Sequence, residues 1–177
     1  MFGKVGSFLW EMTKLAVISL VIILPIRYFI IQPFFVLGAS MEPNFQNGDY
    51  LIINEIGYHL DKPHRGDVIV FKYPNNPSQY YIKRVIGLPG EVVIISDNSV
   101  SIKNKENPDG FELKEDYLSN METYGNISRT LGFDEYFVLG DNRGASSDSR
   151  AWGALNEKFI VGKVLLRAFP FNKAEVF

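Results

Sequence analysis

From residue 15 to residue 31 the chain reads LAVISLVIILPIRYFII, apolar at every position but Ser19, Pro25, Arg27 and Tyr28. No polar stripe recurs at helical spacing, so the pattern predicts a helix that is apolar all round rather than a surface helix. Seventeen helical residues span roughly 25 Å, and fraying into Thr13 and residues 34–36 brings the length to about that of a bilayer core. A membrane helix tolerates an internal proline as a kink. Arg27 lies about two turns from the end at Pro33, near enough to snorkel outward. The run exceeds the apolar stretch of an ordinary secretory signal, although Gly38-Ala39-Ser40 behind it offers the small residues of a cleavage site. The expectation is a retained anchor. Lys4, Lys14 and the amino terminus precede it against Glu11, whereas residues 34–50 hold no Lys or Arg. The positive-inside bias then keeps a short tail in the cytoplasm and exports everything after the anchor.

Beyond residue 34 the period changes from helical to short β-rich runs. YLIIN (50–54), DVIVFKY (67–73), YYIKRVIG (80–87), EVVII (91–95), SVSIK (99–103), YFVLG (136–140) and VGKVLLRAF (161–169) all have strand character. They are broken by PNNPS, LPGE, NKENPDG and GDNRGASSDS. No helix of ten or more residues fits after residue 34, apart from a possible helical turn at 155–159. The expected architecture is a mostly β domain over 34–177 behind a tail and anchor over 1–33. A polar stretch within about 91–134 reads as a small β cap inserted into that domain.

Composition narrows the function. Eighteen Lys and Arg are balanced by 20 Asp and Glu without a basic stripe, which argues against a nucleic-acid partner. The absence of cysteine removes disulfides, thiolate metal sites and a Cys nucleophile. His59 and His64, the only histidines, stand in a turn-rich loop without a carboxylate cluster, a weak zinc pattern. Arg65-Gly66-Asp67 matches an adhesion tripeptide but precedes a strand and reads as a turn. DNRGASSD superficially resembles a calcium loop, but Arg143 stands where an oxygen ligand is required. No metal or cofactor is expected.

The chemistry concentrates in three stretches. GASMEPNFQNGDY (38–50) places Ser40 just past the anchor; taken alone, the stretch reads as a turn. A serine hydroxyl needs a base, and without a convincing histidine the candidates are lysines. Lys83 stands out in YYIKRVIG because strand alternation puts it on the face of Val85, with Arg84 on the other. Burial there would favour the neutral amine and make a general base, although an isolated strand lysine can also snorkel to solvent. GDNRGASSDSR (140–150) offers hydroxyls able to orient an amine and an Asp–Arg pair able to brace a loop.

Taken in order behind an amino-terminal anchor, SMEPNF with Ser40, GDYLII, YIKRVIGLPGE with Lys83 and GDNRGASSDSR resemble the type I signal peptidases, in a compact, Gram-positive-like form. The resemblance spans residues 34–169. It implies a membrane-anchored serine endopeptidase with Ser40 as nucleophile and Lys83 as general base. Ser146 falls on the serine that orients the lysine, Asp148 and Arg150 on the structural ion pair, and Asp141 and Arg84 on further bracing charges. Gly38 occupies a position that carries a hydroxyl oxyanion donor in many Gram-negative members, leaving the Ser40 backbone N–H as the donor. The implied partners are signal peptides of secreted preproteins, the lipid bilayer and a nearby secretion translocase. The implied location is the outer face of the bacterial cytoplasmic membrane, single-pass with the amino terminus inside. An extended substrate between residues 34–37 and 80–82 would meet Phe34, Val36, Met41, Phe45, Tyr81 and Ile82. Their bulk leaves shallow pockets suited to an Ala-x-Ala type of site. Two other readings are a membrane-tethered β module that binds peptides without cutting them, and a self-cleaving repressor-type protease. The surviving Ser40 and Lys83 speak against the first, and a membrane span in place of a DNA-binding head against the second.

Overall fold

The computed structural model describes residues 2–29, 31–55, 62–118 and 122–177, with side chains for 6–22 and from 33 onward within those stretches. Helix α1 (Phe2–Phe29) is followed by strand β1 (Ile31–Phe35). The helix thus starts well before the apolar run, since no proline interrupts residues 2–24, and it ends sooner than the pattern suggested. Pro33 cannot donate to a helix and disfavours helical geometry at Gln32, so the chain leaves the helix ahead of it. Among the described residues no helix is long and apolar enough to cross a membrane. The second part of the apolar run, from residue 23, lies where side chains are outside the described set.

The rest is mostly antiparallel β, as the period-two pattern implied. In chain order the strands are β2 (Tyr50–Asn54), β3 (Val68–Tyr73), β4 (Asn76–Gly87), β5 (Val92–Ser96), β6 (Ser99–Lys103), β7 (Phe111–Glu112), β8 (Ile127–Thr130) and β9 (Glu135–Leu139). A four-residue helix α2 (Ser149–Trp152) precedes β10 (Leu155–Asn156), β11 (Ile160–Phe169) and β12 (Glu175–Val176). The main sheet has the order β1-β2-β11-β3-β4-β9-β10, with β12 also on β11. A second sheet, β7-β6-β5-β8, is built from the inserted stretch.

Two elements depart from the sequence reading. The turn expected over PNNPS is confined to Pro74 and Asn75, because Tyr73 pairs with Asn76 and β4 runs from there. Pro77 is accommodated because β9 pairs β4 only at Arg84, Val85 and Gly87, so β4 has a free edge before that. The possible turn at 155–159 is a short strand followed by a 3-10 turn, Glu157–Phe159.

Strand β3 explains where the core sits. Val68 and Val70 enter one cluster with Leu51, Ile53, Phe45 and Met41, while Ile69 and Phe71 enter another with Val85, Tyr136 and Val138. Both faces of β3 are covered, which is why its sequence is an unbroken apolar run. The small sheet adds Val93, Ile95, Val100 and Ile102 to Ile86, Phe137 and Leu139 of the main sheet, so the insert shares a core with it. The Arg65-Gly66-Asp67 tripeptide is a turn here: Gly66 has φ +91° and Arg65 is held by Glu91 in two hydrogen bonds of 2.7 and 2.8 Å.

Candidate active site

Ser40 stands in the loop joining β1 to β2. The base of that loop is closed by Val36 N–H donating to Asp49 C=O and Gly48 N–H donating to Val36 C=O, each at 2.9 Å. Met41 and Phe45 are buried in the core and fix the loop from within. Gly38 adopts φ +93°, a conformation that favours glycine, and its N–H donates to Asn47 Oδ1 at 2.9 Å. The Gly38 N–H is therefore already engaged, and among the described residues nothing accepts from the Ser40 N–H.

Strand β4 brings Lys83 to this loop. Its side chain is buried, with Nζ 2.7 Å from Ser40 Oγ and 2.8 Å from the Ile82 carbonyl oxygen, to which it donates. Loss of hydration lowers the Lys83 pKa from 10.5 to about 8, against the opposing pull of Asp148 and Asp141. The result is a largely desolvated amine in contact with a hydroxyl.

The loop between β9 and α2 packs against both. A side chain at Gly140 would collide with Ser146 Oγ and the Ser40 carbonyl, so this position admits only glycine. Asp141 is fully buried and receives Arg84 Nε at 2.8 Å and Nη2 at 2.6 Å, together with Asn44 Nδ2 at 2.8 Å. Asp148 receives Arg150 Nε and Nη2, each at 2.8 Å, and Gly140 N–H at 3.2 Å, and it caps α2. Ser146 Oγ is buried without a hydrogen-bond partner. It makes no hydrogen bond to Lys83.

The loop is further tied to the inserted sheet by a residue that the sequence reading treated only as a misfit for calcium. Arg143 is buried and donates to Glu115 through both terminal nitrogens, to Thr123 Oγ1, and to the Gly140 carbonyl. Glu115 and Thr123 lie in the polar insert, where neither period nor spacing marks them. Asn44 and Asn142 were likewise missed. Asn44 sits inside SMEPNF and Asn142 inside GDNR, so membership of those stretches is the one signal they carry.

A cleft of about 400 Å³ opens beside Ser40 and Lys83. Phe34, Val36, Tyr81 and Ile82 line it, joined by Ala145 and Ser147; Met41 and Phe45 do not, being buried behind it. Its two sides are β1 and the first part of β4, which among the described residues pair on one edge only, with β2 and β3 respectively. The Phe34 ring packs on Tyr80 with centroids 5.3 Å apart, bridging those edges. Of the histidines, His59 lies outside the described residues, and His64 is not among the residues lining the cleft; its N–H donates to Asp67 Oδ2.

A serine hydroxyl against a buried amine, at a cleft between two strand edges, is an arrangement that fits the class of serine hydrolases. The family model described as signal peptidase, peptidase S26, matches residues 9–169. The chain is 34% identical over 94% of its length to a probable signal peptidase I-1 of Synechocystis sp., covering 86% of that protein. It is 37% identical over 96% of its length to a signal peptidase I of Leptolyngbya laminosa, covering 84%. With a signal peptidase IB of Staphylococcus aureus it shares 33% identity over 88% of its length and 87% of the relative. The crystal structure of a signal peptidase I from Enterococcus faecalis aligns with TM-score 0.51 at 35% identity, covering 59% of this chain and 97% of that one. The chain belongs to the signal peptidase I family, peptidase S26, and is a serine endopeptidase of the kind that removes signal peptides.

Proposed function

We propose that this chain removes signal peptides from exported preproteins at the outer face of the cytoplasmic membrane, using Ser40 and Lys83 as a catalytic dyad and cutting after small residues. The observation that carries the reading is the 2.7 Å separation of Lys83 Nζ and Ser40 Oγ, joined to an amine that burial makes available as a base near pH 8. Neutral Lys83 takes the Ser40 proton as Oγ attacks the scissile carbonyl, and the Ser40 N–H receives the developing oxyanion. The resulting ammonium then protonates the leaving amine. Lys83, neutral again, activates the water that hydrolyses the acyl-enzyme. Ser146, buried beside Gly140 and unpartnered at rest, orients the amine in this cycle by rotating its hydroxyl onto Lys83, a hydrogen bond that the resting structure does not contain. No metal or cofactor takes part.

Substrate adds as a strand between β1 and the free edge of β4. Its residues one and three before the cut point the same way, toward Phe34, Val36, Tyr81 and Ile82, whose bulk admits only small side chains. Met41 and Phe45 act from behind by holding the Ser40 loop. Helix α1 anchors the enzyme: its side chains at Leu15, Val17, Ile18, Leu20, Val21 and Ile22 are all exposed, as suits contact with lipid. The tail before it stays inside, and the translocase delivers the preprotein nearby.

The test is detergent-solubilised enzyme incubated with a preprotein and the new amino terminus sequenced. Ser40→Ala and Lys83→Ala should each abolish cutting without unfolding the protein, and the double variant should be no worse, because a nucleophile and its base act as a unit. Substantial activity in Lys83→Ala would remove the dyad.

A further inference from the structure

Asn142 lies between two residues whose side chains are locked in buried ion pairs, Asp141 to Arg84 and Arg143 to Glu115. Asn142 turns toward the nucleophile loop instead. Its Nδ2 donates to the Ala39 carbonyl at 3.0 Å, and its backbone N–H donates to the Ser40 carbonyl at 3.0 Å. These are the two carbonyls that flank Ser40.

A trans peptide is planar, so the Ala39 C=O and the Ser40 N–H project from one rigid plate in opposite directions. Holding the carbonyl on one side sets where the N–H points on the other. The second bond fixes the next plate, and two fixed plates set both φ and ψ of Ser40. The direction of its Cα–Cβ bond follows. The approach is close enough to exclude a side chain at Gly140, so the loop cannot shift without moving the Ser40 carbonyl. Asp141 and Arg143, anchored on either side, make Asn142 a stiff mount for this grip.

We propose that Asn142 is a positioning residue that aims the Ser40 N–H at the developing oxyanion by gripping the peptides on both sides of the nucleophile. The inference rests on Ser40 being the nucleophile. An oxyanion donor acts through its alignment in the transition state, so misaiming it lowers kcat and leaves ground-state binding alone.

Asn142→Ala and Asn142→Asp, the second keeping the shape but losing the side-chain donor, are compared with wild type and Ser40→Ala on a short peptide substrate. Both variants should lose at least about ten-fold in kcat with KM unchanged. The rising limb of the pH profile should stay in place in the Ala variant, because no charge near Lys83 changes. Affinity for a peptide boronate, which Ser40 Oγ converts to a tetrahedral adduct, should fall by a similar factor, and Tm should hold in the Ala variant. Unchanged kcat in both variants overturns the inference, and so does a fall in kcat with boronate affinity intact, which would mark mere loop support. A wild type that cleaves nothing, or a Ser40→Ala variant that cleaves as well, overturns the dyad and this inference together. With wild type active and Ser40→Ala inactive, failure belongs to Asn142 alone.

Discussion

At the scale of single residues, Lys83 is held in a state that suits chemistry and opposes stability. Lowering its pKa from 10.5 to about 8 corresponds to on the order of 3 kcal/mol. A folded-state pKa below the unfolded value means that the folded protein binds fewer protons between about pH 8 and 10.5, so stability climbs with pH across that window. The full destabilisation is present below about pH 8. Lys83→Met, which removes the charge and keeps the length, should therefore raise Tm at pH 7 by several degrees while abolishing activity. The gain should shrink as the pH approaches 10.5. The same ionisation governs the wild-type rate: kcat/KM should rise about ten-fold per pH unit below neutrality, reach half its plateau near pH 8 and level off above it. Calorimetry of both proteins at pH 7 and 10, with a pH–rate profile, checks both outcomes. A gain over wild type no larger at pH 7 than at pH 10 would contradict the assignment.

At the scale of elements, the β9–α2 loop separates residues that hold it from residues that use it. Asp148→Ala leaves Arg150 without its partner and α2 without its cap, and breaking a buried pair typically costs about 3–5 kcal/mol. In a chain of this size Tm should drop by about 10 °C or more. Ser146→Ala should behave oppositely. Its hydroxyl is buried and unsatisfied, so its removal costs no hydrogen bond and Tm should hold or rise slightly, while kcat falls. Equal melting temperatures for Asp148→Ala and wild type would count against the brace. On the far side of the cleft, Ile82 packs against the core at one end of the free edge of β4. Ile82→Ala should open room for Val or Leu before the cut while preserving the wild-type site, since small side chains lose only about 1–3 kcal/mol of packing. Sequencing product amino termini from preproteins carrying Val or Leu at those positions decides it, and identical profiles for the two enzymes would displace Ile82 from the pocket.

At the scale of the whole molecule, what could be foreseen was what repeats or stands beside a repeat. The strands of the main sheet carry their burial in period-two or unbroken apolar patterns, and Ser40 and Lys83 sit in short stretches of unusual composition. The residues binding those stretches together were not legible. Arg143 meets Glu115 across 28 positions and Asn142 meets Ala39 across 103, contacts that only the folded chain creates. Met41 and Phe45 were placed in the pocket because they are near Ser40 in sequence, whereas the loop folds them into the core behind it. The helix raises a different question, since α1 leads into β1 within two residues and β1 forms one wall of the cleft. An anchored enzyme and a membrane-held substrate share an interface, which raises effective concentration and fixes approach without any new contact. Removing residues 2–29 should therefore leave kcat/KM on a short soluble peptide within a few-fold of wild type. On a preprotein embedded in vesicles the loss should be about 100-fold or more, the range expected when a tethered encounter becomes a free one. Equal losses on both substrates would make α1 a support of the β1 edge instead of an anchor. Full activity on the vesicle-bound preprotein would show that the reaction needs no shared interface.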